Sequence, residues 1–264
     1  MIFLSRRVLP INHRPISPKP IIPSFHYSNI PIGAKPLSSG LMIRSERSRL
    51  VNQKAPPVAR EGYRYILGSA FATAIVAGLG LYALALFFLA VTFFLCFFFR
   101  DPERLIPERQ GAVVSPADGK VLEIGVVEES DFAAEKMLKM SIFMSIFNVH
   151  VNRIPDDGIV TEVVYHPGKF FSANLDKASK DNERNAISLE ITGGRKLIVV
   201  QVAGLIARRI ICKIRKGDRL RRGERFGMIC FGSRLDVYFP PDTVPAVSVG
   251  DRVVAGTSVL GHLS

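Results

Sequence analysis

The apolar residues of the chain divide it into three segments of different character. Between Tyr65 and Phe99, 35 consecutive residues carry no charge, which is more than the roughly 20 residues with which a helix crosses a bilayer. This pattern predicts a hydrophobic helical membrane anchor over residues 65–100. Because Gly78 and Gly80 allow a bend, both a single span and a helical hairpin are compatible with the run, and we favour the hairpin. The basic residues before it place the N-terminal flank in the cytoplasm.

The first 64 residues show no sustained periodicity and are rich in Pro, Ser and Arg. A segment of this composition does not bury enough apolar surface to fold alone, so residues 1–64 are predicted to form a disordered basic arm. Two other interpretations of the arm stay open. Its scarcity of acidic residues is typical of an organelle transit peptide, and translation could instead begin at Met42.

Short runs of Val, Ile and Phe, separated by Gly, Pro, Asp and Asn, continue from residue 101 to the end of the chain. Such runs are typical of β-strands joined by tight turns. We therefore predict a mainly β (α+β) domain over residues 101–264, with one short helix in SDFAAEKMLKM at 130–140. The closing stretch VSVGDRVVAGTSVLGHL, residues 247–263, resembles the glycine-punctuated hairpins of biotinyl and lipoyl domains.

Positive charge is concentrated at the N-terminal end of the chain. The net charge of +12 divides into +10 for residues 1–100 and +2 for residues 101–264, so we expect no nucleic-acid partner for the folded domain. Cys96, Cys212 and Cys230 lack the spacing of a zinc site, and we expect no bound metal. No P-loop or dinucleotide-binding glycine motif occurs, which removes the usual sites for nucleotide chemistry and hydride transfer.

A Gly-Ser pair interrupts the apolar strand RFGMICFGSRLDVYFP near the C-terminus. Gly232 in a strand is typical of a β-bulge, and Ser233 beside it adds a weak nucleophile. His150 at the end of an apolar strand and Asp118 in a turn sequence are each compatible with a structural role. A serine, a histidine and an aspartate from different strands can also converge as nucleophile, base and orienting carboxylate. The residues alone leave both interpretations open.

Five motifs occur in order along the chain after the basic arm. They are FFRDPER at 98–104, SPADGKV at 115–121, FNVHVNR at 147–153, NERN at 182–185 and FGSRLDVYFP at 231–240. Together they resemble the short bacterial form of phosphatidylserine decarboxylase, a pyruvoyl-dependent enzyme. The resemblance covers the chain from about Tyr65 to Ser264.

The resemblance implies a catalytic domain that cuts its own chain between Gly232 and Ser233. Residues 1–232 would become the β chain and residues 233–264 the α chain. Ser233 would become an N-terminal pyruvoyl group, with no dissociable organic cofactor. This group would form a Schiff base with phosphatidylserine and accept the electrons released with CO2, as pyridoxal phosphate does elsewhere, so that phosphatidylethanolamine is the product.

The resemblance assigns catalytic roles to Ser233, His150 and Asp118. His150 is the expected proton donor to the substrate Cα, and Asp118 is the carboxylate expected to support the histidine during self-cleavage. Long-form relatives carry two histidines in the motif that corresponds to FNVHVNR, whereas this chain has one, followed by Arg153. Either His150 acts in both maturation and decarboxylation, or another group takes one role; His166 is an alternative without motif support.

The expected partners are lipids. Residues 207–225 contain nine Lys and Arg, which predicts contact with an anionic membrane surface or head group, with solvated strand faces as the alternative. The resemblance places the protein at the cytoplasmic face of the bacterial inner membrane and leaves a homodimer open. A function of another class also stays open, namely a membrane-tethered biotinyl- or lipoyl-like carrier or binding module, although no lysine stands at a hairpin tip in 247–263.

Overall fold

The computed structural model describes residues 57–128, 132, 135–171, 181–205, 209–230 and 232–264. Most of the predicted arm, residues 1–56, lies outside this part of the chain. Within the described part, a 3-10 helix at Arg60–Gly62 precedes a helix that begins at Tyr63. Regular structure therefore begins a few residues before residue 64, where the sequence placed the end of the arm.

The apolar run forms two helices joined by a tight turn. Helix α1 (Tyr63–Gly78) and helix α2 (Tyr82–Phe98) are separated by a turn in which Gly80 has a φ of +76°, a conformation open to glycine because it has no Cβ. The Thr92 hydroxyl of α2 donates to Ser69 Oγ of α1 at 2.9 Å. We call this unit the helical hairpin. No helix in the described part of the chain is long and apolar enough to cross a membrane, so the predicted spanning anchor is not supported.

The described residues also form fourteen strands, and the pairings between these strands are antiparallel. The strands are β1 (Ala112–Val114), β2 (Gly119–Val127), β3 (Met137–Met144), β4 (Val151–Arg153), β5 (Gly158–His166), β6 (Arg184–Ile191), β7 (Arg195–Ala203), β8 (Ile210–Cys212), β9 (Arg219–Leu220), β10 (Arg225–Ile229), β11 (Ser233–Phe239), β12 (Val244–Pro245), β13 (Arg252–Val253) and β14 (Val259–His262). A second 3-10 helix, Thr192–Gly194, joins β6 to β7. The mainly β composition predicted from the sequence is confirmed.

Three sheets arise from these strands. The large sheet has eight strands in the order β13-β2-β3-β11-β7-β6-β5-β9, and the smaller sheets have the orders β1-β14-β12 and β4-β10-β8. Strand β11 therefore lies inside the large sheet between β3 and β7. The closing segment 247–263 is divided between sheets, because β13 pairs with β2 whereas β14 pairs with β1 and β12. It does not form a hairpin of two strands paired with each other.

Both faces of the large sheet are covered at β11. Leu235, Val237 and Phe239 belong to the main apolar core, and Tyr238 belongs to a second apolar cluster. Because neighbouring side chains of a strand point to opposite faces, the two clusters cover the two faces of the sheet. The first residue of β11, Ser233, is consequently enclosed by protein, and it is fully buried.

The helix predicted at 130–140 is wrong where the structure describes its C-terminal part. Met137–Met144 forms β3, which is paired on one side with β2 and on the other with β11. Met137 and Met140 are buried, so pairing and burial in an inner strand outweigh the local helix propensity. The residues 129–131 and 133–134 lie outside the described part of the chain.

The base of the helical hairpin packs against the small sheet β4-β10-β8. Phe98 and Phe99 at the end of α2 are fully buried in a cluster that includes Val151 of β4 and Met228 of β10. On the α1 side, Lys213 Nζ lies 2.6 Å from Glu61 Oε1. The hairpin is thus attached to the β domain through its base, close to the segment that carries His150.

Candidate active site

Gly232 and Ser233 mark the entry into strand β11. Gly232 has a φ of +65°, and a Cβ added there would meet no atom within 4 Å. The position therefore favours glycine for its backbone conformation rather than for lack of space. Ser233 pairs with Met144 of β3 and with Ala203 of β7, and its Oγ lies 3.4 Å from Met144 Sδ.

The His150 side chain is directed at this bend from the segment before β4. Its Nδ1 lies 2.9 Å from the Asn148 carbonyl oxygen, and its Nε2 lies 3.4 Å from the Gly232 amide nitrogen. A carbonyl oxygen only accepts hydrogen bonds, so Nδ1 carries the proton and Nε2 accepts from the Gly232 N–H. The imidazole also packs on the Phe98 ring, with 4.2 Å between the ring centroids.

The surroundings of His150 keep its side chain neutral. Burial lowers the pKa of His150 to about 4; the Asn148 carbonyl opposes this change, whereas the positive charge of Arg100 adds to it. At neutral pH the imidazole is therefore uncharged, and the lone pair on Nε2 faces the Gly232 N–H. A neutral imidazole held in this way can act as a general base.

Asp118 makes its contacts with residues other than His150. Arg104 Nη2 lies 2.9 Å and 3.2 Å from the two carboxylate oxygens, and the Ala255 N–H donates to Oδ1 at 2.8 Å. Within the described residues no hydrogen bond joins Asp118 to the imidazole. In this structure the Asn148 carbonyl, and not Asp118, contacts His150 Nδ1. A role of Asp118 in self-cleavage stays a prediction.

Comparison with known proteins gives a consistent result. The family model described as phosphatidylserine decarboxylase matches residues 91–261. A Geotalea uraniireducens protein named phosphatidylserine decarboxylase proenzyme is 50% identical over 213 residues, which cover 81% of this chain and all of that relative. The chain belongs to the phosphatidylserine decarboxylase family. Proteins with the same printed name from Desulfotalea psychrophila and Nitratidesulfovibrio vulgaris are 47% and 48% identical, over 80% and 78% of this chain and 99% and 95% of their own lengths.

Arg153, three residues after His150, holds two distant segments of the chain together. Its guanidinium donates to the Gly223 and Pro102 carbonyl oxygens and lies 3.3 Å from Asp101 Oδ1. Burial lowers the pKa of Arg153 to about 10, helped by the nearby charge of Arg225 and opposed by Asp101, so it stays charged at neutral pH. Arg153 therefore connects the FFRDPER motif to the β domain.

His166, the other candidate, lies at the end of β5. Its ring packs edge-on against Phe132, with 5.4 Å between the centroids. Within the described residues no contact joins His166 to Ser233 or His150. His150 is thus the histidine that the fold brings to Gly232 and Ser233.

Sequence reasoning missed a set of buried amides beside Ser233. Asn152 and Gln201 are fully buried, Asn185 is nearly so, and the three side chains are joined by hydrogen bonds. Asn152 and Asn185 do occur in the FNVHVNR and NERN motifs, but Gln201 lies in an apolar strand without a motif. Only the pairing of β6 with β7 places Asn185 opposite Gln201.

A cavity of about 830 Å³ lies away from these residues, among Asp156, Arg195, Arg222 and the C-terminal Ser264. Several of its charges are satisfied within the protein. Arg222 Nη2 lies 2.7 Å from Asp156 Oδ1, and Arg195 Nη1 donates to the Ser264 carbonyl oxygen at 2.6 Å. Neither Ser233 nor His150, the candidate nucleophile and the candidate base, lines this cavity.

Proposed function

We propose that this protein is a phosphatidylserine decarboxylase that first cuts its own chain between Gly232 and Ser233. Its family membership and the proenzyme names of its relatives support the activity and the processing. The observation that carries the site assignment is the neutral His150 Nε2, 3.4 Å from the amide nitrogen of the glycine before a buried serine. The product of the reaction is phosphatidylethanolamine, with release of CO2.

Self-cleavage requires Ser233 Oγ to reach the Gly232 carbonyl carbon, and so to leave its place beside Met144 Sδ. His150 Nε2 takes the hydroxyl proton as Oγ bonds to this carbon. The bond from the same carbon to the Ser233 nitrogen then breaks, and the nitrogen takes up the proton. An ester now joins the two residues, and the Gly232 φ of +65° supplies the bend at which this exchange occurs.

The second stage releases the two chains. His150 Nε2, which has passed its first proton to the Ser233 nitrogen, takes the Ser233 Cα proton. The Gly232 carboxylate then leaves from Cβ, which separates residues 1–232 from residues 233–264. Addition of water to the remaining dehydroalanine releases ammonia and leaves a pyruvoyl group at the start of β11. Water is needed for this step alone, and Ser233 is otherwise enclosed by the strands on both sides.

The residues around Ser233 fit such a group. The position is fully buried, and His150 lies beside the preceding residue. Asn152 directs an amide donor at Met144 Sδ, the atom that Ser233 Oγ also contacts. When present, a pyruvoyl group supplies an electron sink for the charge left on Cα after CO2 departs. We assign to His150 Nε2 the transfer of a proton to that carbon, after Nε2 has taken up the proton that the substrate ammonium group releases when its nitrogen bonds to the pyruvoyl carbon. Decarboxylation then needs no dissociable organic cofactor.

We further infer that the helical hairpin binds the membrane that contains the substrate. Its large side chains face solvent on both helices, among them Leu67, Phe71, Phe87 and Phe93, and exposed apolar surface on this scale is typical of a binding site. Each helix is about 25 Å long, slightly shorter than the roughly 30 Å hydrocarbon core. Because Phe98 at its base packs on His150, a hairpin inserted into lipid holds the active site at the surface. The cytoplasmic face of the inner membrane is the location we propose.

The cationic stretch 207–225 supplies only part of its charge to such a surface. Lys213 pairs with Glu61, Arg222 with Asp156 and Arg225 with Asp101. At least three cations of this stretch are therefore used in ion pairs among the residues that the structure describes. The carrier alternative is not favoured, because the family and the division of segment 247–263 between two sheets do not suit a simple carrier hairpin.

Intact-mass measurement of the purified protein tests the proposed function. We expect two chains that end and begin at the Gly232–Ser233 bond, whereas Ser233→Ala is expected to stay a single chain without decarboxylase activity. Ser188→Ala is a matched control, because Ser188 is a buried serine of β6 with no part in the proposed steps, and it is expected to be cut. Wild-type protein that is active as one uncut chain would contradict the proposal.

A further inference from the structure

Three buried amide side chains form a row that leads to Ser233. Asn185 Nδ2 of β6 donates to Gln201 Oε1 of β7 at 3.0 Å, and Gln201 Nε2 donates to Asn152 Oδ1 of β4 at 2.9 Å. We call these three residues the amide row. None of them takes part in the steps described above, and a buried polar group of this kind is costly unless its hydrogen bonds are made.

The direction of these hydrogen bonds determines which group of Asn152 is left at the end of the row. Asn152 Oδ1 is occupied by the donor from Gln201, so the NH2 group of Asn152 is the part left for the next contact. That contact is Met144 Sδ at 3.8 Å, and Ser233 Oγ lies 3.4 Å from the same sulfur. A thioether is a weak acceptor. Two buried donors therefore share one poor partner in the uncut chain.

Maturation changes this balance. When Ser233 loses its hydroxyl, one of the two competing donors disappears. The Cα of Ser233 becomes a carbonyl carbon whose oxygen takes the place of the Ser233 nitrogen. A strong acceptor thus replaces an N–H donor, one bond away from the carbon that has lost the hydroxyl. A buried amide donor gains most from such an acceptor, because water does not reach it.

We propose that the amide row presents the Asn152 NH2 group as a hydrogen-bond donor to the carbonyl oxygen of the pyruvoyl group formed from Ser233. This inference rests on the proposed function. A donor directed at that oxygen withdraws electron density from the carbonyl carbon and stabilises negative charge that develops on the oxygen. Gln201 and Asn185 are positioning residues, because they keep the NH2 group rather than the oxygen of Asn152 turned toward Ser233.

The stretching frequency of the pyruvoyl carbonyl measures this hydrogen bond directly. Serine with 13C at Cα labels no backbone carbonyl carbon. The carbonyl band that this label shifts therefore comes from the pyruvoyl group, the one place where a serine Cα has become a carbonyl carbon. The infrared difference spectrum of matured protein without lipid therefore isolates the group. We expect a frequency below that of N-methylpyruvamide in an apolar solvent, and in Asn152→Leu a rise toward that reference value. Decarboxylation per mole of pyruvoyl should fall about tenfold, as expected for loss of one hydrogen bond.

Gln201→Glu tests the direction of the row while Asn152 is kept. The carboxylate accepts hydrogen bonds only, so the Asn152 NH2 group is expected to turn toward residue 201 and the frequency to rise as in Asn152→Leu. Asn182→Leu is the matched control. Asn182 is also a buried amide, but it bonds to the Phe171 and Ala203 carbonyl oxygens, so its loss should lower stability and leave the frequency unchanged.

Two results would overturn the inference. One is an unchanged frequency in matured Asn152→Leu. The other is a wild-type frequency equal to that of the reference compound. This second measurement tests the hydrogen bond even if no variant folds or matures. A different result, wild-type protein with no carbonyl band from the serine label, would show that no pyruvoyl group forms and would overturn the proposed function itself.

Discussion

The His150 side chain has one neighbour that is close in the sequence and one that is distant. Asn148 supplies a carbonyl oxygen to Nδ1 from two residues away, and Phe98 covers the ring from the end of the helical hairpin. Burial then lowers the pKa of His150 to about 4. Below pH 6.5 an unfolded histidine binds a proton that the folded one refuses, so stability falls as the pH drops from 6.5 toward 4, by about 3 kcal/mol in total.

The pH dependence of self-cleavage follows from the same pKa. His150 must be unprotonated to take the Ser233 proton, so we expect the cleavage rate to stay constant from pH 8 to about pH 5 and to reach half its maximum near pH 4. Cell-free synthesis followed by transfer to buffers of different pH measures the rate on newly made chains. A midpoint near the ordinary histidine value of 6.5 would show that the imidazole is not buried when cleavage occurs.

The variant Asp118→Asn tests whether Asp118 only stabilises the fold or also orients the His150 imidazole. The amide can still accept from the Ala255 N–H, but the ion pair with Arg104 is lost, and we expect a loss of stability of about 1–3 kcal/mol. Because Asn148 holds the imidazole, the midpoint of the cleavage profile should stay near pH 4. A clear shift of that midpoint in Asp118→Asn would mean that the carboxylate acts on His150 after all.

Part of the candidate site could be predicted from the sequence. Gly232, Ser233 and His150 were predicted from their motifs, and the structure brings them together. The contacts of Met144 and of the amide row were not predicted, because they depend on strand register. The Asn148 contact was not predicted either, because it depends on the local backbone conformation before β4. An asparagine or methionine next to an apolar strand has no sequence signal of its own until pairing shows which residue it faces.

At the scale of elements, most strands could be predicted from their residues, whereas their pairing partners and packing contacts could not. Runs of β-branched residues marked β2, β5 and β7, whereas β3 was partly predicted as helix because Met, Leu and Lys favour helices locally. Its true conformation depends on β2 and β11, which lie on either side of it. The helical hairpin could likewise be predicted from its apolar composition, but the packing of Phe98 and Phe99 against the small sheet could not.

Charged substitutions on the outer face of the hairpin test its proposed contact with lipid. Phe71 is 69% and Phe87 59% exposed, so Phe71→Glu with Phe87→Glu should leave folding and self-cleavage intact. Binding to vesicles of phosphatidylglycerol and phosphatidylserine should fall at least tenfold, because charges are costly to place in hydrocarbon. Flotation of the vesicles measures the bound fraction.

Leu105→Glu is the matched control for the hairpin. Leu105 is 89% exposed and lies outside both helices, so this variant should float with vesicles as the wild type does. If the double hairpin variant also bound vesicles normally, the membrane contact would have to be sought on another surface.

At the scale of the whole molecule, the proposed α chain is interwoven with the rest of the protein. Of residues 233–264, β11 lies between β3 and β7, β13 pairs with β2, and β14 pairs with β1. Arg234 adds buried polar contacts across this boundary, because it donates to Ser141 Oγ at 2.6 Å and pairs with Glu123 at 3.1 Å. Cleavage therefore removes one covalent bond and leaves these pairings in place.

We accordingly predict that the two chains stay together until the whole β domain unfolds. In a urea series, the 32-residue chain should co-elute with the larger chain at every concentration below the unfolding transition. Its release should coincide with the loss of β-structure measured by circular dichroism, because β11 cannot leave without opening the large sheet on both sides. Size exclusion with intact-mass detection follows the release, and Ser233→Ala provides the uncut reference for the same transition. Release of the short chain well before the loss of β-structure would contradict the central position of β11, because an edge strand could detach without unfolding the rest.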